Sequence, residues 1–93
     1  LYHSHLFGPP ERRVQLLLLD LRSFRDPLDP RREQLYPEMG DYVPHPPERT
    51  PQFLGEAQWR WLEEQLRQPA RLRFVASSTQ LVVGHNGYEA WIN

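Results

Sequence analysis

An α/β fold is the class this sequence predicts, and three segments predict it. Val14–Leu19 is a short apolar run ended by Asp20, Leu54–Arg67 carries helical periodicity, and Leu72–Ser78 is a second apolar run that ends in small polar residues. Strand, connection, helix and strand in that order make one β-α-β unit. The two strands are expected beside or close to each other, with the helix over one face and a right-handed crossover if they are parallel.

Residues 1–13 read as a polar, aromatic lead-in closed by Gly8-Pro9-Pro10, a strong breaker. The run at 14–19 is short and lacks a period of two, which fits a strand buried on both faces. Leucine is a weak strand former and a buried helix is the alternative, but six residues ended by a polar cluster favour the strand. From Asp26 to Pro51 the chain carries seven of its ten prolines. Each removes a backbone donor and pushes the residue before it away from helical angles, so 26–51 is expected to be a long loop wrapping a surface.

The helix is predicted at 55–67. Gly55 serves as N-cap, Glu56 meets the positive end of the dipole, and Pro69 stops the chain from continuing. Trp59, Leu62 and Leu66 fall on one stripe, widened by Trp61 near Leu54 and Gln58. The second strand is predicted at 72–78, with Thr79–Val83 either continuing it or forming a loop. Gly84-His85-Asn86-Gly87 reads as a turn, and Tyr88–Asn93 is an aromatic segment that stops in mid-pattern. No internal repeat is present.

Composition narrows the function classes. With 93 residues the chain is expected to be one small domain, and its eleven basic residues, all arginine, are balanced by twelve acidic ones for a net charge of −1. That balance excludes a broadly cationic nucleic-acid or polybasic membrane binder. The longest apolar run, Leu16–Leu19, is far shorter than a membrane span. There is no cysteine, hence no disulfide framework, zinc–thiolate site or thiol nucleophile. The chain opens on Leu1 with neither an initiator methionine nor a signal-peptide pattern, and is read as a piece of something longer.

In open α/β sheets ligands gather at the carboxyl ends of the strands. After the first strand, Asp20-Leu21-Arg22-Ser23-Phe24-Arg25-Asp26 offers a carboxylate and two guanidiniums, and an arginine there can grip phosphate oxygens in bidentate fashion. The alternative is that Asp20 pairs with Arg22 or caps the loop backbone. After the second strand, Ser77-Ser78-Thr79-Gln80 offers hydroxyls for a ligand or for the loop's own amides. His3 and His5 would share a face of a strand, as a metal pair would, but lack a third ligand in the segment. His85 stands in the glycine-rich turn with Asn86 and Glu89 close in sequence. Asp20, Ser77 and His85 can be drawn as a triad, although no Gly-x-Ser-x-Gly elbow supports one. Trp59 and Trp61 either pack the core or form a surface for a proline-rich partner.

Taken together, the ordered segments resemble the PhoD-like alkaline phosphatase family of calcineurin-like metallophosphoesterases. Val14–Asp26 is similar to its hydrophobic strand running into Leu-Asp-Thr-Arg-x-x-Arg, with Leu21 where threonine is common. Phe53–Leu66 resembles its Leu-Gly-x-x-Gln-x-x-Trp-Leu helix, and Arg73–Gln80 with Gly87–Trp91 resembles its Ser-Ser-x-Gln strand end and downstream Glu-x-Trp. The resemblance covers the chain from about Leu1 to Asn93.

The resemblance implies that residues 1–93 are the central part of a two-sheet α/β/β/α sandwich, a single incomplete domain. The parent would be a hydrolase that cleaves phosphate monoesters or diesters with a metal-activated water on calcium, iron, zinc or manganese. Asp20, Arg22, Arg25, Ser78 and His85 are the candidate substrate-binding or metal-supporting residues. The family's main metal motifs would lie before Leu1 and after Asn93, so these residues alone are expected to bind no metal and to be inactive. A secreted or periplasmic parent is the expectation the family carries. Exposed edges and apolar faces would favour self-association. The alternative from a different class is a non-catalytic interaction module using the proline-rich loop and the Trp-bearing helix.

Overall fold

The computed structural model describes residues 1–28, 46, 48–82 and 91. Among them are three strands and one α-helix: β1 (His3–Phe7), β2 (Val14–Leu18), α1 (Glu56–Leu66) and β3 (Leu72–Ala76), with a 3-10 turn at Pro10–Arg12. The chain is a mixed α/β unit. The sheet order is β1-β2-β3, with β1 antiparallel to β2 and β3 parallel to it.

β1 lies in the lead-in, where no strand was expected. His3-Ser4-His5 lacks the apolar alternation of a half-buried strand, and the partner supplies what the pattern does not: His3 pairs with Leu18 and Phe7 with Val14. Gly8, at φ +79°, makes the reversal between the two strands, and a Cβ there would stand 3.1 Å from the Arg12 carbonyl oxygen.

The expected elements are present with shorter bounds: 14–19 ends at Leu18, 55–67 becomes Glu56–Leu66, and 72–78 ends at Ala76. The register Val14↔Leu72 to Leu18↔Ala76 sets β2 and β3 side by side, and Leu19 N–H donates to Ala76 O at 3.1 Å beyond the last pair.

The expectation that β2 is buried on both faces is corrected. Gln15 and Leu17, on the helix side, are fully buried, whereas Val14, Leu16 and Leu18 are half-buried. Alternation identifies the other side of the sheet, made of His3, His5, Phe7, Val14, Leu16, Leu18, Leu72, Phe74 and Ala76. α1 covers one face only.

The helix stripe is corrected too. Gln58 and Leu62 are the buried positions of α1, while Trp59 is 43% exposed and Leu66 45%. Leu17, Leu21, Leu54 and Leu62 form the core, with Leu19, Phe53, Trp61 and Trp91 packed around it. Trp61 lies against Tyr2, ring centroids 4.6 Å apart. The helix therefore sits about one position rotated from the purely apolar stripe, because two glutamines face the sheet with hydrogen bonds to make.

Gln15 is one of two buried glutamines that hold the layers together. Its amide nitrogen donates to the Gln65 carbonyl oxygen at 3.2 Å, near the carboxyl end of α1. Its oxygen accepts from Arg73 Nε at 2.5 Å, and Arg73 also donates to Gln68 O at 2.6 Å. One strand side chain and one guanidinium thus tie the carboxyl end of α1 to the sheet, where Gln65 O also accepts from Gln68 N–H at 3.1 Å.

At the other end of α1, Gly55 has φ +76° and ψ 152°, a region essentially reserved for glycine. A Cβ there would meet Phe24 Cβ at 3.0 Å. The expected proline-rich loop at 26–51 lies largely outside the described residues; near its ends Asp26 and Gln52 form a two-bond neck, Asp26 N–H donating to Gln52 O at 2.7 Å and Gln52 N–H donating to Asp26 Oδ2 at 2.8 Å.

Candidate site at the carboxyl ends of β2 and β3

Because β2 and β3 are parallel and in register, the segments after them emerge at the same end of the sheet. Asp20, Arg22 and Arg25 follow β2, and Ser78 follows β3. Four of the five candidate residues thus lie in segments that follow strand ends on the same side of the sheet. His85, with Asn86, Glu89 and His45, lies outside the described residues.

Asp20 is the best-determined group of the site. Its carboxylate accepts from Ser23 Oγ at 2.7 Å and the Leu1 amino group at 2.9 Å on Oδ2, and from the backbone N–H groups of Arg22 and Ser23, both at 3.0 Å, on Oδ1. The Ser23 hydroxyl first, with the Arg22 and Ser23 amides, holds the carboxyl well below the usual carboxylate range, against a smaller opposing effect of desolvation. Asp20 is charged throughout the physiological range and fixes the start of the 20–25 turn. The capping alternative therefore describes what its oxygens do.

The backbone of Asp20 is held from the helix. Asp20 N–H donates to Gln58 Oε1 at 2.8 Å, and Gln58 Nε2 donates to Asp20 O at 2.8 Å and to Leu54 O at 3.0 Å. Leu21 is buried in the core, so its side chain anchors the turn from beneath. Arg22 is exposed and Arg25 half-buried on the same turn.

On the β3 side, Ser77 Oγ donates to Thr79 O at 2.6 Å and accepts from Trp91 Nε1 at 3.1 Å. That hydroxyl is engaged with the loop, and the His85 of the drawn triad lies outside the described residues. Trp91 N–H donates to Gln80 O at 3.0 Å, and its ring meets Phe53 and Trp59 at 4.8 and 6.1 Å. Ser78 is exposed beside this bracing.

His3 and His5 do share a face of β1, with ring centroids 6.3 Å apart. Among the described residues no three His, Asp or Glu side chains come together as a metal-binding group. No described helix is long and apolar enough to cross a membrane.

Sequence reading missed Gln58, Ser23 and Gln15. A glutamine inside an otherwise apolar helix face was the available signal for Gln58. Comparison with protein-family models, curated proteins and solved structures finds no match for this chain.

Proposed function

We propose that this chain is part of a metal-dependent phosphoesterase of the PhoD-like type, contributing phosphate-contacting residues. The observation that supports this most is the shared end of the sheet. A turn fixed by an ionised Asp20 presents Arg22 and Arg25 at the end of the sheet where Ser78 also emerges. Guanidiniums suit this task, since their planar fork matches two oxygens of a phosphate and stays charged at every working pH. Asp20 acts as the positioning residue, and Ser78 adds a hydroxyl donor.

The sheet face away from α1, mostly apolar and only half-covered, supports the finer architecture of two sheets packed face to face. Metal ions would activate the attacking water when bound. Their ligands are assigned to the flanking motifs that the resemblance implies, and no step of the reaction is placed on the residues described above.

The test is expression of the extended reading frame with calcium, iron, zinc or manganese and chromogenic phosphate mono- and diesters. Metal-dependent turnover is expected, and Arg22→Ala should lower kcat/KM by roughly 10–100-fold, the loss of one or two charge-assisted hydrogen bonds. Residues 1–93 alone should give no turnover above a metal-only blank. An inactive extended protein, or an active 93-residue chain, overturns the reading.

A further inference from the structure

The candidate turn begins where the pairing that fixes β2 runs out. β2 ends at Leu18, and the bond from Leu19 N–H to Ala76 O, at 3.1 Å, carries its pairing with β3 one residue further. At Asp20 one side chain of α1 takes over both backbone groups. Gln58 Oε1 accepts from Asp20 N–H and Gln58 Nε2 donates to Asp20 O, each at 2.8 Å. A side-chain amide offers an acceptor and a donor side by side, as the backbone of a neighbouring strand does, so Gln58 continues the pairing by one more residue.

Gln58 is itself fixed. It is 1% exposed, and its second N–H donates to Leu54 O at 3.0 Å, just ahead of α1. Beyond Asp20 the bonds pass into the turn, where Oδ1 accepts from the Arg22 and Ser23 amides at 3.0 Å each. One line of hydrogen bonds thus runs from Leu54 through Gln58 and Asp20 to the backbone that carries Arg22. Gln15 gives the contrast. It is equally buried and also joins α1 to the sheet, but its bonds go to Ser4, Gln65 and Arg73, away from the turn.

We infer that Gln58 is a positioning residue for phosphate binding, setting the turn, by way of Asp20, in the place from which Arg22 reaches the substrate. The inference rests on the phosphoesterase reading and adds to it the residue that holds that site in place. A guanidinium fork matches two phosphate oxygens only from a narrow range of positions. A misplacement of about 1 Å can cost roughly 100-fold in rate. Without the Gln58 amide, Arg22 keeps its charge and its bond to the Asp20 carboxylate, but Asp20 loses its hold on α1. The consequence falls on placement and not on charge. A buried glutamine that only joined helix to sheet would act on stability alone.

The test is a double-variant cycle in the extended protein, supplied with metal and a chromogenic phosphate ester, with each rate divided by the folded fraction from circular dichroism. Gln58→Leu should lower kcat/KM by about 10-fold. In an Arg22→Ala background the same change should cost less than about twofold, because the group it places is gone. Gln15→Leu, which removes a buried amide of the same kind, should leave kcat/KM within about twofold of the unaltered protein. Equal losses in both backgrounds, or an equal loss from Gln15→Leu, overturn the inference and leave the phosphoesterase reading standing. An extended protein without turnover overturns that reading, and the inference with it. Amide exchange in the unaltered protein needs no variant to fold. The Asp20 amide should be protected to within about 10-fold of the Leu19 amide, and an Asp20 amide that exchanges like an unstructured one overturns the inference.

Discussion

Gln58 holds Asp20 by both of its backbone groups, accepting from its N–H and donating to its C=O at 2.8 Å each. The residue that ends the candidate turn's strand is thus fixed by a side chain from the middle of α1, at a buried position. Gln58→Leu keeps the volume but leaves Asp20 N–H, Asp20 O and Leu54 O short of a partner. Unsatisfied buried groups cost about 1–3 kcal/mol each, partly recovered by relaxation, so a loss of about 2–4 kcal/mol is expected. Urea unfolding should show a lower midpoint at unchanged slope. Gln58→Glu should be no better, because an ionised carboxylate cannot donate to Asp20 O; a midpoint equal to that of the unaltered chain would refute the clamp.

Asp20 makes a pH prediction. Its folded-state pKa is depressed by Ser23 Oγ and by the Arg22 and Ser23 amides, so the folded state favours the charged form more than the unfolded chain does. The resulting stabilisation is fully present above the unfolded carboxyl pKa of about 4 and is lost progressively as pH falls below it toward the folded value. The stability difference between the unaltered chain and Asp20→Asn should be widest near neutrality and narrow below pH of about 4. Urea midpoints of both proteins at pH 7 and pH 3 read this directly, and a difference that grows on acidification would refute it.

The three elements with strong local signals were legible in the sequence: an apolar run ended by Asp20, a helix begun by Gly55 and stopped before Pro69, and a second apolar run. β1 was not, because His3-Ser4-His5 has no apolar alternation and becomes a strand only through long-range pairing with Leu16–Leu18. The helix face was misjudged by about one position for a related reason. Hydrophobic periodicity selects Trp59 and Leu66, whereas the fold buries Gln58 because its amide completes the backbone of a strand end 38 residues away. That Asp20, Arg22, Arg25 and Ser78 follow strand ends on the same side of the sheet depends on β2 and β3 being parallel, which the β-α-β order left open. The fixing of Asp20 by Ser23 depends on the turn's folded geometry, which no local pattern encodes.

Gly55 predicts a backbone effect. At φ +76° and ψ 152° an alanine is strained, and its Cβ would stand 3.0 Å from Phe24 Cβ. Gly55→Ala is expected to cost about 1–3 kcal/mol in spite of alanine's better helix propensity, because the residue lies outside the helical turn it caps. The nearest atom is the Phe24 Cβ itself, which only glycine removes, so Gly55→Ala in a Phe24→Gly background, compared with Phe24→Gly alone, separates the contributions. Relief of the clash should recover only part of the loss, the remainder being backbone strain. Full recovery in the double variant would refute the backbone component.

The neck of the proline-rich loop predicts a local effect. Asp26 and Gln52 exchange two hydrogen bonds, one of them through the exposed Asp26 carboxylate. Asp26→Ala removes that one and leaves the backbone pair, so global stability should fall by no more than about 1 kcal/mol. The effect should concentrate at the loop's base, where trypsin finds Arg25 on one side and Arg49 on the other. Cleavage after both residues should accelerate severalfold in Asp26→Ala at an almost unchanged urea midpoint, since protease access through local opening follows the free energy of that opening. Asp26→Asn retains an acceptor oxygen and should stay near the original rate. Equal cleavage of Asp26→Ala and the unaltered chain would show that the neck does not hold the loop.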